Sequence, residues 1–151
     1  MSAGAPGRRR APRLIGVLER VDIPAWGARG VHARVDTGAR TSALHVESLT
    51  ELGAGRVRFA LAKSETGGKR PAPIEATVLR RGRVRSTSGK LESRVFVTAR
   101  VVLGGDEHRI ELGLVDRRHM QNPMLLGRSA LAGRFLVDPG RRYLLAAARA
   151  K

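Results

Sequence analysis

The chain has 151 residues, a length that suits one domain with a buried core. Hydrophobic residues make up 42% of the sequence but aromatic residues only 3%, so the core must be built from Val, Leu, Ile and Ala. The sequence has no cysteine, which excludes disulfides, a thiol nucleophile and a cysteine-based zinc site, and which fits a reducing compartment. Because no apolar run approaches the roughly 20 residues of a membrane span, we expect a cytoplasmic protein that does not contact a membrane.

The formal charge of +16, from 29 basic and 13 acidic residues, would attract phosphates or acidic peptides. The sequence shows neither a basic helix nor arginines interleaved with aromatic residues, so base stacking on aromatic side chains is not favoured. Arginine beside abundant Ala, Gly and Val is also what a GC-rich genome supplies without selection for binding. Nucleic acid is therefore not the expected partner, whereas an acidic peptide remains open.

The two ends of the chain differ from its middle in composition. Residues 1–13 are rich in Gly, Pro, Arg and Ala and lack the apolar segment of a secretion signal, which predicts a disordered basic tail. We expect residues 148–151 to be a short tail at the other end. We expect residues 14–147 to form one domain.

Strand-type alternation of apolar and polar residues dominates the domain. A stretch rich in Ser, Gly, Lys and Pro, residues 64–73, predicts an exposed loop. Helix patterns are short and occur only at residues 41–52 and 129–132. Many short strands separated by turn signals predict a closed or sandwiched all-β domain. The predicted strands lie at residues 13–21, 30–36, 57–62, 74–84, 91–103, 109–115 and 135–138.

A β-hairpin is predicted in the second half of the domain. Residues 83–85 and the run that starts at Leu91 flank a small, polar tip that contains glycine. The tip consists of Ser86, Thr87, Ser88 and Gly89.

The stretch Asp36-Thr37-Gly38-Ala39 follows the predicted strand 30–36 and is the most informative in the chain. A carboxylate at a strand end, followed by a hydroxyl and a glycine, suits a tight loop that other backbone can approach closely. Aspartic peptidases present the acid that activates water in this way. The same residues also favour an ordinary Asx turn at a strand end.

A second informative stretch is Met124-Leu125-Leu126-Gly127-Arg128, in which apolar residues, a glycine and a basic residue lead into a short helix pattern. Alone it is a weak signal, because such residues end many buried strands. Its value lies in its order along the chain, after the Asp36 stretch and the glycine-tipped hairpin.

This order resembles the retropepsins, and from about Leu14 the chain is similar to a small bacterial family of retropepsin-like proteins. The resemblance implies an all-β, retropepsin-like closed β-barrel with one or two short helices, and an aspartic endopeptidase activity. The matching segments are residues 35–45, 89–94, 116–120, 124–128 and 135–138.

The resemblance also implies a role for each site residue. Asp36 would be catalytic, supported by Thr37, Gly38 and Ala39, with Thr37 bonded across a dimer. Ser86, Thr87, Ser88 and Gly89 would form a flap over the peptide. Leu125, Leu126 and Gly127 would back the loop, and Arg128 would brace the dimer or remain a solvated charge. Arg40, beside the loop, is a candidate for binding an acidic substrate.

Asp-Thr-Gly occurs once in this sequence, whereas aspartic peptidases use two carboxylates that share a proton. A single-domain chain meets this need only as a homodimer that places Asp36 beside its symmetry mate. The expected substrate is a peptide or protein, with acidic or glutamate-rich segments as a candidate class. The alternative is a non-catalytic module that binds acidic peptides on the same fold.

Members of the resembling family are often described as ATP-dependent zinc proteases, but this sequence supports neither a metal nor a nucleotide cofactor. It has no His-Glu-x-x-His motif and no Gly-x-x-x-x-Gly-Lys-Ser/Thr loop. His45 and Glu47 are the one pair that would supply two metal ligands, although a structural histidine is the simpler interpretation.

Overall fold

The computed structural model describes residues 11–85 and 88–145, and these residues form mainly β-structure. Between the strands of the described part lie a short α-helix and two 3₁₀ turns, Pro24–Trp26 and Lys63–Thr66. The elements in chain order are β1 (Arg13–Ile15), β2 (Leu18–Ile23), β3 (Ala28–Val35), β4 (Ser42–His45), β5 (Glu47–Gly53), β6 (Arg56–Ala60), β7 (Ile74–Thr77), β8 (Arg80–Arg85), β9 (Leu91–Leu103), β10 (Asp106–Val115), β11 (Met124–Leu126), α1 (Arg128–Leu131) and β12 (Phe135–Val137).

Six strands close into a barrel. Their order is β10-β4-β11-β3-β2-β9, and β9 pairs back onto β10, so that no strand edge is left open within the ring. The pairing is mixed: β11 runs parallel to β3 and antiparallel to β4, whereas β10 runs parallel to β4. Strand β8 adds to the outside of β9 and forms the hairpin with it.

The barrel interior is aliphatic, as the composition requires. On β3 the side chains of Val31, Ala33 and Val35 are buried while their neighbours face outward, which is the period of two that a strand with one core face shows. Leu112 and Leu114 of β10 meet the same core. Burial of these side chains supplies the main driving force for the barrel.

Two smaller sheets complete the fold. Strands β5, β6 and β7 form one, and β1 and β12 form a parallel pair. The C-terminal segment is tied to the barrel by Glu19, whose buried carboxylate accepts hydrogen bonds from the amides of Gly16, Leu144 and Leu145 at 2.8, 2.9 and 3.2 Å. These amides satisfy a charge that would otherwise be costly to bury.

The prediction of a helix at residues 41–52 is wrong: β4 and β5 occupy this stretch. Ser42–His45 is buried along its whole length because it pairs with β10 on one side and with β11 on the other. A short apolar run does not distinguish a buried strand from a helix, and here the sheet pairing decides the outcome.

Three other predicted boundaries shift. Arg13, assigned to the tail, belongs to β1 and pairs with Phe135. The strand predicted at residues 13–21 splits at Gly16, where a side chain would lie 2.4 Å from the carbonyl oxygen of Arg141. The strand predicted at residues 74–84 is likewise two strands, β7 and β8, which belong to different sheets.

The predicted exposed loop at residues 64–73 is partly wrong, because Glu65 and Thr66 are buried in the second 3₁₀ turn. The hairpin around residue 88 and the short helix after Gly127 are confirmed as β8–β9 and α1. Within the described ranges, no helix has the length and apolar character needed to cross a membrane.

Candidate active site

Asp36 lies directly after the last residue of β3 and begins a tight loop. Its amide donates a hydrogen bond to the carbonyl oxygen of Leu126 at 2.9 Å, which ties the loop to β11. Its carboxylate oxygen Oδ1 accepts a hydrogen bond from the amide of Gly38 at 2.9 Å, and its carbonyl accepts one from Ala39 at 3.2 Å. The loop is thus an Asx turn, and the two interpretations of the motif describe one structure.

The segment after β11 holds the loop from below. The amide of Arg128 donates to the carbonyl oxygen of Ala39 at 2.8 Å, and the amide of Ser129 donates to that of Arg40 at 3.0 Å. A side chain at Gly127 would lie 2.3 Å from the carbonyl oxygen of Thr41, so only glycine allows this close approach. The expected backing role of Gly127 therefore has a steric basis.

Ser42 is a supporting residue that the sequence analysis missed. It is fully buried, and its Oγ accepts a hydrogen bond from the amide of Gly127 at 3.0 Å. This bond joins the first residue of β4 to the residue that closes against the loop. The available signal was a hydroxyl at the start of a buried apolar run, which needs a hydrogen-bond partner.

The side chain of Arg128 reaches the loop as well. Its Nη1 donates a hydrogen bond to the carbonyl oxygen of Thr37 at 3.0 Å. Thr37 and Gly38 are exposed, so the outer surface of the loop faces solvent in the single chain. The guanidinium therefore braces the loop within one chain.

The remaining predicted residues divide between the loop and other parts of the fold. Leu126 is buried in the core beneath the loop, and Leu125 is half-buried on the outer face of β11. Arg40 is exposed and contributes its carbonyl to the bond with Ser129. Gly89 lies at the tip of the separate β8–β9 hairpin together with Ser88. Ser86 and Thr87, also predicted for the flap, lie outside the described residues.

Asp36 differs from two other aspartates that form similar turns. Asp116 accepts bonds from the amide and the guanidinium of Arg118, which hold the pKa of its carboxyl far below the usual value. The carboxylate of Asp138 accepts a hydrogen bond from the amide of Gly140 and lies 3.5 Å from the guanidinium of Arg141. Within the described ranges Asp36 pairs with no cation, so its second oxygen is available to a water molecule or a substrate.

The candidate metal ligands, His45 and Glu47, make hydrogen bonds within the fold. Nδ1 of the buried His45 accepts a hydrogen bond from the amide of Arg117 at 2.8 Å, so the ring proton is on Nε2, 3.3 Å from a Glu47 carboxylate oxygen. This pattern describes a structural histidine. Across the described part of the chain, no group of three or more His, Asp or Glu side chains is arranged to hold a metal ion.

A closed barrel with an Asp-Thr-Gly loop after its third strand and a Gly-Arg segment packed beneath that loop defines a retropepsin-like fold. Residues 14–147 match the family described as RimB-like, retropepsin-like aspartic endopeptidase RimB. The chain therefore belongs to the RimB-like family of retropepsin-like proteins, which confirms the resemblance and the fold class.

Curated relatives carry a different name. The chain is 35% identical over 135 residues to a probable alpha-L-glutamate ligase of Shewanella halifaxensis, covering 87% of this chain and 30% of the relative. It is 36% identical over 129 residues to a protein of the same name from Parasynechococcus marenigrum, covering 83% of this chain and 28% of the relative. The chain thus spans less than a third of the length of these relatives.

A solved structure supports the fold. Protein Lpg0085 of Legionella pneumophila, described as having unknown function, superimposes with a TM-score of 0.72 at 24% sequence identity. The match covers 89% of this chain and 99% of that one.

Proposed function

We propose that this chain is one subunit of a homodimeric aspartic endopeptidase in which Asp36 of each subunit contributes one of the two catalytic carboxylates. The observation that carries the proposal is the Asp36 loop itself. Its carboxylate is oriented by the amide of Gly38 and is free of cations among the described residues, and the backbone of the loop is fixed by β11 and Arg128.

The exposure of the loop supports the dimer. Thr37 and Gly38 face solvent in one chain, so a second copy can approach them across a twofold axis. Since Asp-Thr-Gly occurs once in the sequence, the second carboxylate has to come from the partner subunit. The interface is isologous in this arrangement, with each loop meeting its own symmetry mate.

The reaction follows from the chemistry of two close carboxyl groups. At about 3 Å they cannot both ionise, so one is a carboxylate and the other a carboxylic acid. The carboxylate accepts a proton from a bound water as the water oxygen attacks the peptide carbonyl carbon. The carboxylic acid donates its proton to the carbonyl oxygen, which gives a tetrahedral diol. As the C–N bond breaks, the first carboxyl group passes the proton taken from water to the amine nitrogen, and the second carboxylate takes a proton from a diol hydroxyl, which restores the shared proton.

We propose acidic, glutamate-rich protein segments as the substrate class. Support comes from the formal charge of +16 and from the name of the relatives, which makes glutamate a substrate of those longer proteins. We also propose a cytoplasmic location, in keeping with the absence of cysteine from the sequence.

Asp36→Asn tests the proposal, because it keeps the shape of the Asx turn and removes the base. Cleavage of a glutamate-rich test peptide should fall to background while the free energy of unfolding changes by less than about 1 kcal/mol. Asp138→Asn, in another Asx turn, is the matched control and should cleave like the wild type. Full cleavage by the Asp36→Asn protein would refute the proposal.

A non-catalytic module that binds acidic peptides is the second candidate. It is favoured by the name and length of the relatives, since a region homologous to this chain occupies only 30% of proteins named as ligases. This candidate predicts a monomer at high concentration, with equal binding of acidic peptide by the wild type and by Asp36→Asn and with no cleavage by either.

A further inference from the structure

Arg94 of β9 lies flat on the outer face of the barrel. Its stem packs over Gly113 of β10, where an added side-chain carbon would lie 2.6 Å from Cδ and 3.2 Å from Cγ of the arginine. The absence of a side chain at residue 113 therefore leaves the space that this arginine occupies. Half-burial at this position lowers the pKa of the Arg94 guanidinium, and the nearby charge of Glu92 partly offsets the effect.

Arg117 comes to the same face from the end of β10. Its amide is held by His45, and its Nε donates to the carbonyl oxygen of Asn122 at 3.2 Å, which fixes the base of the side chain. Burial lowers the pKa of its guanidinium, and the positive charge of Arg94 lowers it further. Val95, the residue after Arg94, pairs with Leu114 of β10, so both arginines extend from the same end of the β9–β10 ladder.

Neither guanidinium has a carboxylate ion pair among the described residues. Glu92, whose charge acts on Arg94, lies beyond ion-pair distance of it, and other arginines of this region are already paired with acids. These existing ion pairs are Asp116 with Arg118, Arg80 with Glu111, and Arg81 with Glu51. Two half-desolvated like charges without a close ion pair are unfavourable, and an anion bound between them would reduce the repulsion.

The pair lies on the face that leads to the catalytic loop. Gly113 pairs with Ala43 of β4, and Ala43 pairs with Leu125 of β11, so these residues present the same outer face. Two strand spacings separate Gly113 from Leu125, or about 10 Å. Leu125 is followed by Leu126, whose carbonyl oxygen accepts the hydrogen bond from the Asp36 amide. An extended peptide covers this span with about three or four residues.

We propose that Arg94 and Arg117 form a carboxylate-binding subsite that holds a glutamate or aspartate side chain of the substrate three or four residues from the cleaved bond. The inference rests on the proposed function in that a bound peptide supplies the carboxylate. Guanidinium groups bind a carboxylate through paired charge-assisted hydrogen bonds, so two of them would select strongly for the acid over its amide.

The test uses the full chain with Asp36→Asn, so that peptide binding is measured without cleavage. Fluorescence anisotropy gives the Kd of a labelled ten-residue peptide with three consecutive glutamates, and of its counterpart with three glutamines. The variants are Arg94→Gln, Arg117→Gln and the double variant. Arg29→Gln removes the same charge from an exposed position at the start of β3 and is the matched control. Thermal unfolding shows that each variant is folded.

We expect each single variant to bind the glutamate peptide about tenfold more weakly, as loss of a charge-assisted bond implies. The double variant should lose less than the product of the two, because the residues share one ligand. The glutamine peptide should bind equally to all variants, and Arg29→Gln should change the glutamate Kd by less than twofold.

Three results would overturn the subsite: an unchanged Kd in both single variants, an equal loss for Arg29→Gln, or a preference for a phosphorylated peptide that alone depends on Arg94. Cleavage by the protein with Asp36 intact is scored separately. The expected binding pattern without cleavage would support the carboxylate-binding subsite and refute the proposed peptidase activity. Cleavage together with a Kd that is the same in all arginine variants would support the peptidase activity and refute the subsite.

Discussion

The Arg128 guanidinium donates a hydrogen bond to the carbonyl oxygen of Thr37, with Nη1 and the oxygen 3.0 Å apart. The bond spans 91 positions of the sequence and joins the first turn of α1 to the residue after the candidate catalytic aspartate. The same arginine holds Ala39 through its backbone amide. Arg128 therefore forms hydrogen bonds with the loop at two points, on either side of Gly38.

Replacing this side chain should separate activity from stability. Arg128→Met removes an exposed hydrogen bond, so we expect the free energy of unfolding to fall by only about 1 kcal/mol. Cleavage should fall about tenfold or more, because small displacements of a catalytic group cost large factors in rate. Urea unfolding and kcat measure the two effects. Arg29→Met, at an exposed position on β3, should leave kcat unchanged, and an equal loss there would contradict a specific role for Arg128.

The close approach beneath the loop predicts a steric effect at Gly127. Gly127→Ala places a carbon 2.3 Å from the Thr41 carbonyl oxygen and 2.9 Å from that of Ala39, so backbone must move. We expect destabilisation of about 1–3 kcal/mol or more, together with loss of cleavage. Gly140→Ala meets its nearest atom at an ordinary 3.5 Å and should unfold like the wild type in thermal denaturation. A fully stable Gly127→Ala protein would show that the loop is not packed as described.

The buried bond between Ser42 and Gly127 predicts a second stability effect. Ser42→Ala leaves the Gly127 amide buried without an acceptor, which should cost about 1–3 kcal/mol in the free energy of unfolding. Chemical denaturation measures this loss. Ser129→Ala, at an exposed position on α1, is the control and should stay within about 0.5 kcal/mol of the wild type. If both substitutions are equally mild, the hydroxyl of Ser42 is not a structural acceptor.

Glu65 predicts a pH dependence of stability. Among the described residues neither of its buried carboxylate oxygens has a close hydrogen-bond partner. Burial raises its pKa from 4.5 to about 8, partly opposed by the backbone of Ala62 and aided by the charge of Glu47. Between these two values the folded state keeps a proton that the unfolded state loses. Stability therefore falls as the pH rises from about 4.5 to about 8, by up to roughly 1.4 kcal/mol per pH unit for this one group.

Glu65→Gln should remove this dependence, because an amide does not ionise. Measured by urea unfolding at several pH values, the variant should gain stability over the wild type as the pH rises toward 8, and the gain should then level off. The control Glu107→Gln alters an exposed carboxylate paired with Arg100 and should parallel the wild type. A constant difference between Glu65→Gln and the wild type across this range would contradict the assignment.

The comparison of sequence with structure shows where local patterns suffice. The Asp36 loop was predictable because an Asx turn is made by residues two positions apart, and its type follows from Asp, Thr and Gly alone. The β8–β9 hairpin and α1 were predictable for the same reason. The stretch at residues 41–52 was not, because β4 is defined by partners some 70 to 80 positions away along the chain.

By itself the sequence determined the catalytic candidate, the aliphatic all-β character and, for the proposed peptidase, the need for a second carboxylate, because these depend on residue type, composition and neighbours in the chain. Only the tertiary structure decided what supports Asp36 and which basic residues are neutralised. Ser42 meets Gly127, and Arg94 lies over Gly113, because barrel closure brings distant strands into register. Since ion pairing depends on that register, a formal charge of +16 does not reveal which charges remain available to bind a partner.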